Sequence, residues 1–117
     1  MTHDEVRNCC AGLPGATSDV KWGADLVYSV GGKMFCVMAL DASQSQGLSF
    51  KVADERFLEL TDQPGIIPAP YLARHHWVRL EHPGVLPAAQ LRELLQASYL
   101  LVRAKLAKKQ RDALPPI

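Results

Sequence analysis

Apolar side chains in the second half of the chain recur at helical spacing. Leu91, Leu94, Leu95, Leu101, Val102 and Leu106, with the small polar Ser98 among them, line one side of a helix of 3.6 residues per turn. Pro87 suits the first turn of that helix. The pattern predicts one long helix carried through Lys108-Lys109-Gln110-Arg111 and ended before Leu114-Pro115-Pro116. Upstream the period changes to two. Leu48-Ser49-Phe50-Lys51-Val52 predicts a strand with Leu48, Phe50 and Val52 facing the core and Ser49 and Lys51 facing water. His76 to Glu81 alternates in the same way, with Val78 and Leu80 on one face and Trp77, Arg79 and Glu81 on the other.

Leu26 to Val30 is rich in β-branched and aromatic residues, and Gly31-Gly32 after it is a two-residue hairpin signal. Lys33 to Leu40 is apolar at nearly every position, as in a central strand or one covered on both faces. Thr2-His3-Asp4-Glu5 has the capping-box form and starts a helix running to about Ala11, stopped by Gly12. A second short helix is expected from Asp54 to about Leu60, with Phe57, Leu58 and Leu60 as its apolar side. Asp41 to Gly47 reads as a polar loop and His82-Pro83-Gly84 as a turn. Asp62 to Pro70, with three prolines and a glycine, is expected to hold no regular structure. The predicted fold class is α+β: a two-layer sandwich of an antiparallel sheet with the N- and C-terminal helices packed on one face. The other face stays partly wet, as Lys51 and Arg79 require.

At 117 residues the chain is expected to form one domain over 1–117 with a single core. A composition 48% hydrophobic and 21% charged places it with globular proteins rather than disordered ones. No apolar run reaches the roughly 20 residues that span a bilayer. The N-terminal residues lack a secretory pattern, and Cys9, Cys10 and Cys36 are odd in number, which suits a reducing cytoplasm better than a disulfide framework. The net charge of +1 implies no polyanionic partner, but its distribution is uneven. Residues 1–70 carry five basic and nine acidic side chains, and residues 71–117 carry eight and three. An exposed C-terminal helix would make that surface dipolar. Cations at a helix C-terminus also offset the macrodipole, which is the simpler account.

Little of the candidate chemistry has the spacing of a catalytic site. His75 and His76, if extended, point to opposite faces, and no helical His-x3-His pair exists, so His3, His75, His76 and His82 read as surface or capping residues. Cys9 and Cys10 diverge by about 100° on a helix and read as inert thiols. Ser98 lacks a glycine-rich elbow and reads as a packed serine bonding to the preceding helical turn. Gly31-Gly32-Lys33 lacks the spacing of a phosphate loop. The chain is read as non-enzymatic, without metal or cofactor, and as a monomer.

Two constellations remain. Lys51, Trp77 and Arg79 share one predicted sheet face, where a tryptophan between cations would stack a base while the cations hold phosphate; the plainer alternative is that the cations pack over the ring. Arg103, Lys105, Lys108, Lys109 and Arg111 gather near the end of the predicted last helix. At 100° per residue they spread around its axis, which suits a solvated terminus, although several such cations would give salt-dependent phosphate contact.

Trp22, the Gly-Gly-Lys strand entry at 31–33, Ser49, Lys51, Pro68, Trp77, Ser98-Tyr99 and the basic ending through Arg111 together resemble the MmcQ/YjbR family of small bacterial proteins. The likeness covers essentially the whole chain. It implies a fold similar to that of CyaY and frataxin and a DNA-binding role. The iron handling of the frataxin relatives does not carry over, because the first helix offers only Asp4 and Glu5 where clustered carboxylates are needed. The leading expectation is thus a cytoplasmic domain binding DNA weakly and without sequence preference through Lys51, Trp77, Arg79, Arg103, Lys105, Lys108, Lys109 and Arg111. The alternative partner is another protein, met by the sheet face around Trp77.

Overall fold

The period-two segments pair into one antiparallel sheet in the computed structural model, which describes residues 1–117. In chain order the elements are α1 (His3–Ala11), β1 (Thr17–Lys21), β2 (Asp25–Val30), β3 (Lys33–Ala39), β4 (Leu48–Lys51) and α2 (Asp54–Thr61). There follow β5 (Ile66–Pro68), β6 (Trp77–Leu80), α3 (Ala88–Ala104) and α4 (Lys108–Asp112), with 3-10 turns at Ala73–His75 and Pro83–Val85. The strands lie in the order β1-β2-β3-β4-β6-β5, each antiparallel to its neighbours.

Alternation along the strands builds the core. Leu26, Tyr28 and Val30, Cys36 and Met38, Leu48 and Phe50, and Val78 and Leu80 point to one face and are buried against Val6 and Cys10 of α1 and Leu91, Leu95, Tyr99 and Val102 of α3. The result is the expected two-layer sandwich. No helix is long and apolar enough to cross a membrane. The capping box forms as read: Thr2 Oγ1 accepts from the Glu5 N–H at 3.1 Å, and Glu5 Oε1 accepts from the Thr2 N–H at 2.9 Å. Gly31 and Gly32, both at positive φ, make the β2–β3 hairpin.

The nearly unbroken apolar run of β3 has a local cause. Tyr28 pairs with Cys36 but Ser29 pairs with Met34, so Phe35 is an extra residue in a β-bulge. The bulge lets Phe35 join Cys36 on the helix side, where its ring meets Tyr99 edge-on at 5.5 Å. Ser98 serves the same place. Its hydroxyl donates to the Phe35 carbonyl at 2.6 Å and accepts from the Lys51 N–H at 3.0 Å. Ser98 therefore ties α3 to two strands and does not bond back to its own helix.

Several expectations are corrected. β1, whose residues are all exposed, alternates too weakly to read as a strand, yet it pairs with β2 over its full length. Ile66–Pro68, expected to be irregular, forms β5; proline is tolerated there because β5 is an edge strand with one unpaired side. Leu58 is 78% exposed and not part of the apolar side of α2. His3 is buried, with Nε2 2.7 Å from the Ala39 carbonyl, rather than a surface residue. His75 ends a 3-10 turn and His76 is left-handed (φ 62°), so that segment is not extended.

The largest correction concerns the last helix. It is not continuous: α3 ends at Ala104, and α4 begins at Lys108. Between them Leu106 turns inward and is buried against the β2–β3 hairpin, where a Cβ on Gly31 would collide with its Cδ atoms. Burying one leucine against a glycine that leaves room for it outweighs the hydrogen bonds of a straight helix.

Candidate nucleic-acid interface

Both packed helices α1 and α3 lie on one side of the sheet, leaving the outer side of its middle strands to be covered by loops alone. Cross-strand pairing places Val37, Ser49, Arg79 and Ile67 in one row on that face, with Lys51 opposite Trp77 in the next. The predicted sharing of a face by Lys51, Trp77 and Arg79 is thus present. The predicted exposure of Trp77 is not, since only 5% of it meets solvent.

Trp77 instead lines a cavity of about 410 Å³ at the end of the sheet where β3 begins and β4 ends. Gly32, Lys33, Met34, Lys51, Val102 and Lys105 complete its lining. Three lysines reach it from three elements: Lys33 from the hairpin, Lys51 from the end of β4, and Lys105 from the break after α3. None of the lining residues is acidic. Lys51 Nζ donates to the His75 carbonyl at 2.6 Å, which uses one of its three donors. Burial, and then the like charge of Lys105, lowers the Lys51 pKa, while Asp54 acts weakly in the opposite direction. A cavity that already disfavours its own positive charge is one that an anion would relieve.

Met34 also borders a second cleft, so the two adjoin. This cleft, of about 540 Å³, runs along the outer face over Val37 and Ser49, with Asp25 and Arg79 beside them. Trp22 and Tyr71 stand at its mouth, and Ala69, Pro70 and Leu72 close one side. Both aromatic residues hold positive φ, 53° and 66°, a conformation costing about 1–3 kcal/mol each for bulky residues. Sequence reasoning missed this cleft because Trp22 and Tyr71 lie in turns, where periodicity carries no information. A proline followed by a tyrosine in a tight turn was the available signal.

The remaining candidates do not converge. Arg103 donates from Nη1 to the Tyr99 hydroxyl at 2.7 Å and from Nη2 to the Pro115 carbonyl at 2.8 Å, while Tyr99 donates to the Pro14 carbonyl at 2.5 Å. That network ties the α1–β1 loop and the C-terminal segment to α3. Lys108, Lys109 and Arg111 sit exposed on α4, and none of them lines either cavity. His82 caps the turn after β6 by accepting from the Gly84 N–H at 3.0 Å. His76 pairs with Asp54 at 2.7 Å. No three His, Cys, Asp or Glu side chains gather where they could hold a metal ion.

Known proteins give the geometry a family. The YjbR family model matches residues 11–101. The crystal structure of the Deinococcus radiodurans protein DR2400, of the DUF419 domain, superposes with a TM-score of 0.84 at 34% identity, covering 95% of this chain and 86% of that one. A crystal structure of a Pseudomonas syringae protein superposes at 0.68 with 19% identity over 87% of this chain and 99% of that one, a likeness of fold alone. No match was found among curated protein sequences. With a family model spanning most of its length, a sheet matching a DUF419 structure and the Gly-Gly-Lys hairpin that the resemblance rested on, the chain belongs to the YjbR family.

Proposed function

We propose that this YjbR-family protein is a cytoplasmic, non-catalytic domain that binds nucleic acid, DNA included, at the lysine-lined end of its sheet and the outer face adjoining it. One observation carries this: Lys33, Lys51 and Lys105, from three separate elements, line one cavity whose lining residues include no carboxylate. Phosphate groups neutralise such a cluster, and counterion release makes the contact salt-dependent. No recognition helix bears base-reading side chains, so binding to duplex is weak and insensitive to sequence. In this reading Arg103 is a structural residue, Lys109 and Arg111 offset the C-terminal end of α4, and Lys108 at its first residue is a solvated surface cation.

A second reading is favoured by exposed Trp22, Ile67 and Tyr71, which would suit a protein partner on the same face. Titration of the full chain with mixed-sequence duplex and single strand at several salt concentrations separates the two. Lys33→Glu with Lys105→Glu, both at exposed positions, should weaken binding and lower the slope of log K against log salt by about two units. Charge reversal at Lys108, Lys109 and Arg111 should leave it unchanged. Absence of binding at tens of micromolar protein in low salt, or loss only with the α4 variants, would overturn the proposal.

A further inference from the structure

Two bulky aromatic residues occupy backbone positions that turn chemistry reserves for glycine or asparagine. In the three-residue turn joining β1 to β2, Trp22 and Gly23 follow one another at φ 53° and 80°, a left-handed conformation that glycine and asparagine adopt most readily. In the second turn the Leu72 N–H donates to the Ala69 carbonyl at 3.1 Å, with Pro70 next and Tyr71 at the position that needs positive φ. Neither ring gains burial in return: Trp22 is 69% exposed and Tyr71 fully so. His76, the third such residue, differs, since its ring pairs with Asp54 and meets Phe57 edge-on at 5.4 Å. Strain without a return, at both lips of one cleft, marks a site built for something absent from the free protein.

We infer that the Trp22–Tyr71 cleft takes an unpaired nucleobase of a single strand, with guanine the best match. This rests on the nucleic-acid reading above and adds the occupant. The aromatic lips and the apolar floor of Met34 and Val37 accept a flat ring. Arg79 lines the cleft and enters no ion pair; its guanidinium packs against Gly47, in a second groove that shares Arg79, Asp25 and Val37 with the cleft. Its fork matches two adjacent acceptors. Asp25, also outside any ion pair, accepts from an amino group. Guanine carries both features, the N7 and O6 acceptors and the N2 amino donor. The lysine cavity, joined to the cleft through Met34, then receives the neighbouring phosphate. Bases stacked and paired within a duplex cannot enter.

Trp22→Asn and Tyr71→Gly test this without damaging the fold, because each places a residue suited to positive φ. Affinity is measured for a thymidine oligomer with isolated guanines, for plain oligothymidine, for a duplex of equal length and for guanosine monophosphate. The guanine-bearing strand should bind tightest, and each substitution should weaken it about tenfold. Duplex affinity should stay the same, and thermal stability should hold or rise. Unchanged single-strand affinity, a loss that tracks reduced stability, or monophosphate binding as tight as the strand would overturn the inference. If duplex binding still depends on Lys33 and Lys105 while the aromatic variants bind normally, only this inference fails. If nothing binds, the nucleic-acid reading fails and takes this one with it.

Discussion

Ser98 shows how much one hydroxyl can hold. It sits fully buried on the apolar stripe of α3, where alanine would pack at least as well, yet it joins the bulged Phe35 carbonyl to the final amide of β4. Removing it leaves a carbonyl and an N–H facing an apolar helix. Ser98→Ala should cost about 1–3 kcal/mol in denaturant unfolding, since buried polar groups left unpaired are expensive. A loss below roughly 0.5 kcal/mol would mean that water replaces the hydroxyl and that the bulge does not depend on it. Lys51 is fixed by the same bond, so this serine also sets the position of one of the three cavity lysines.

At the scale of elements, the break between α3 and α4 matters most. A straight helix would have carried Lys108, Lys109 and Arg111 along the axis of α3, as the sequence pattern predicts, and the break sets them on a separate helix. Lys105, which caps α3, shares a face with Val102 three residues before it and lines the cavity with it beside Lys33, while Leu106 turns onto Gly31. Gly31 and Gly32 separate the two requirements on the hairpin. Both have positive φ, but a Cβ on Gly31 meets Leu106, whereas one on Gly32 meets nothing within 4 Å. Gly32→Ala should therefore cost only the left-handed strain of about 1 kcal/mol. Gly31→Ala adds overpacking and should cost about 2–4 kcal/mol. Equal losses in chemical denaturation would show that Leu106 does not pin the break.

Across the whole molecule, ionisation is coupled to folding through groups held protonated in the core. Cys10 is kept so by its hydrogen bond to Cys36 and by burial, and Cys9 and Tyr28 chiefly by burial. Each retains its proton in the fold where the unfolded chain has released it. Their stabilisation is thus complete below about pH 9 and is lost as pH rises further. Lys51 runs the other way. Its pKa is lowered, so stability returns as pH climbs through that value toward 10.5. Three groups oppose one, and the urea midpoint should fall between about pH 8 and pH 10.5, by the equivalent of roughly 1 kcal/mol or more. A flat or rising midpoint would contradict this.

The sequence by itself determined the features that depend on near neighbours. The capping box, the Gly-Gly hairpin, the alternation of β4 and β6 and the apolar stripe of α3 all follow from groups no more than a few residues apart. It also implied that one sheet face would stay partly wet, because lysine and arginine alternate with core residues; in the fold Lys51 and Arg79 are half-buried there, and Ser49, expected to face water, is buried. Only the tertiary structure decided which residues that face would bring together. Strand order sets β6 beside β4 and puts Trp77 opposite Lys51, buried in a cavity instead of standing free. A contact with a distant hairpin breaks the last helix and separates Lys108, Lys109 and Arg111 from the cavity that Lys105 lines. Trp22 and Tyr71 meet across a cleft because two unrelated turns end on the same face. Periodicity records which side of an element is apolar; it does not record what the chain later folds against that side.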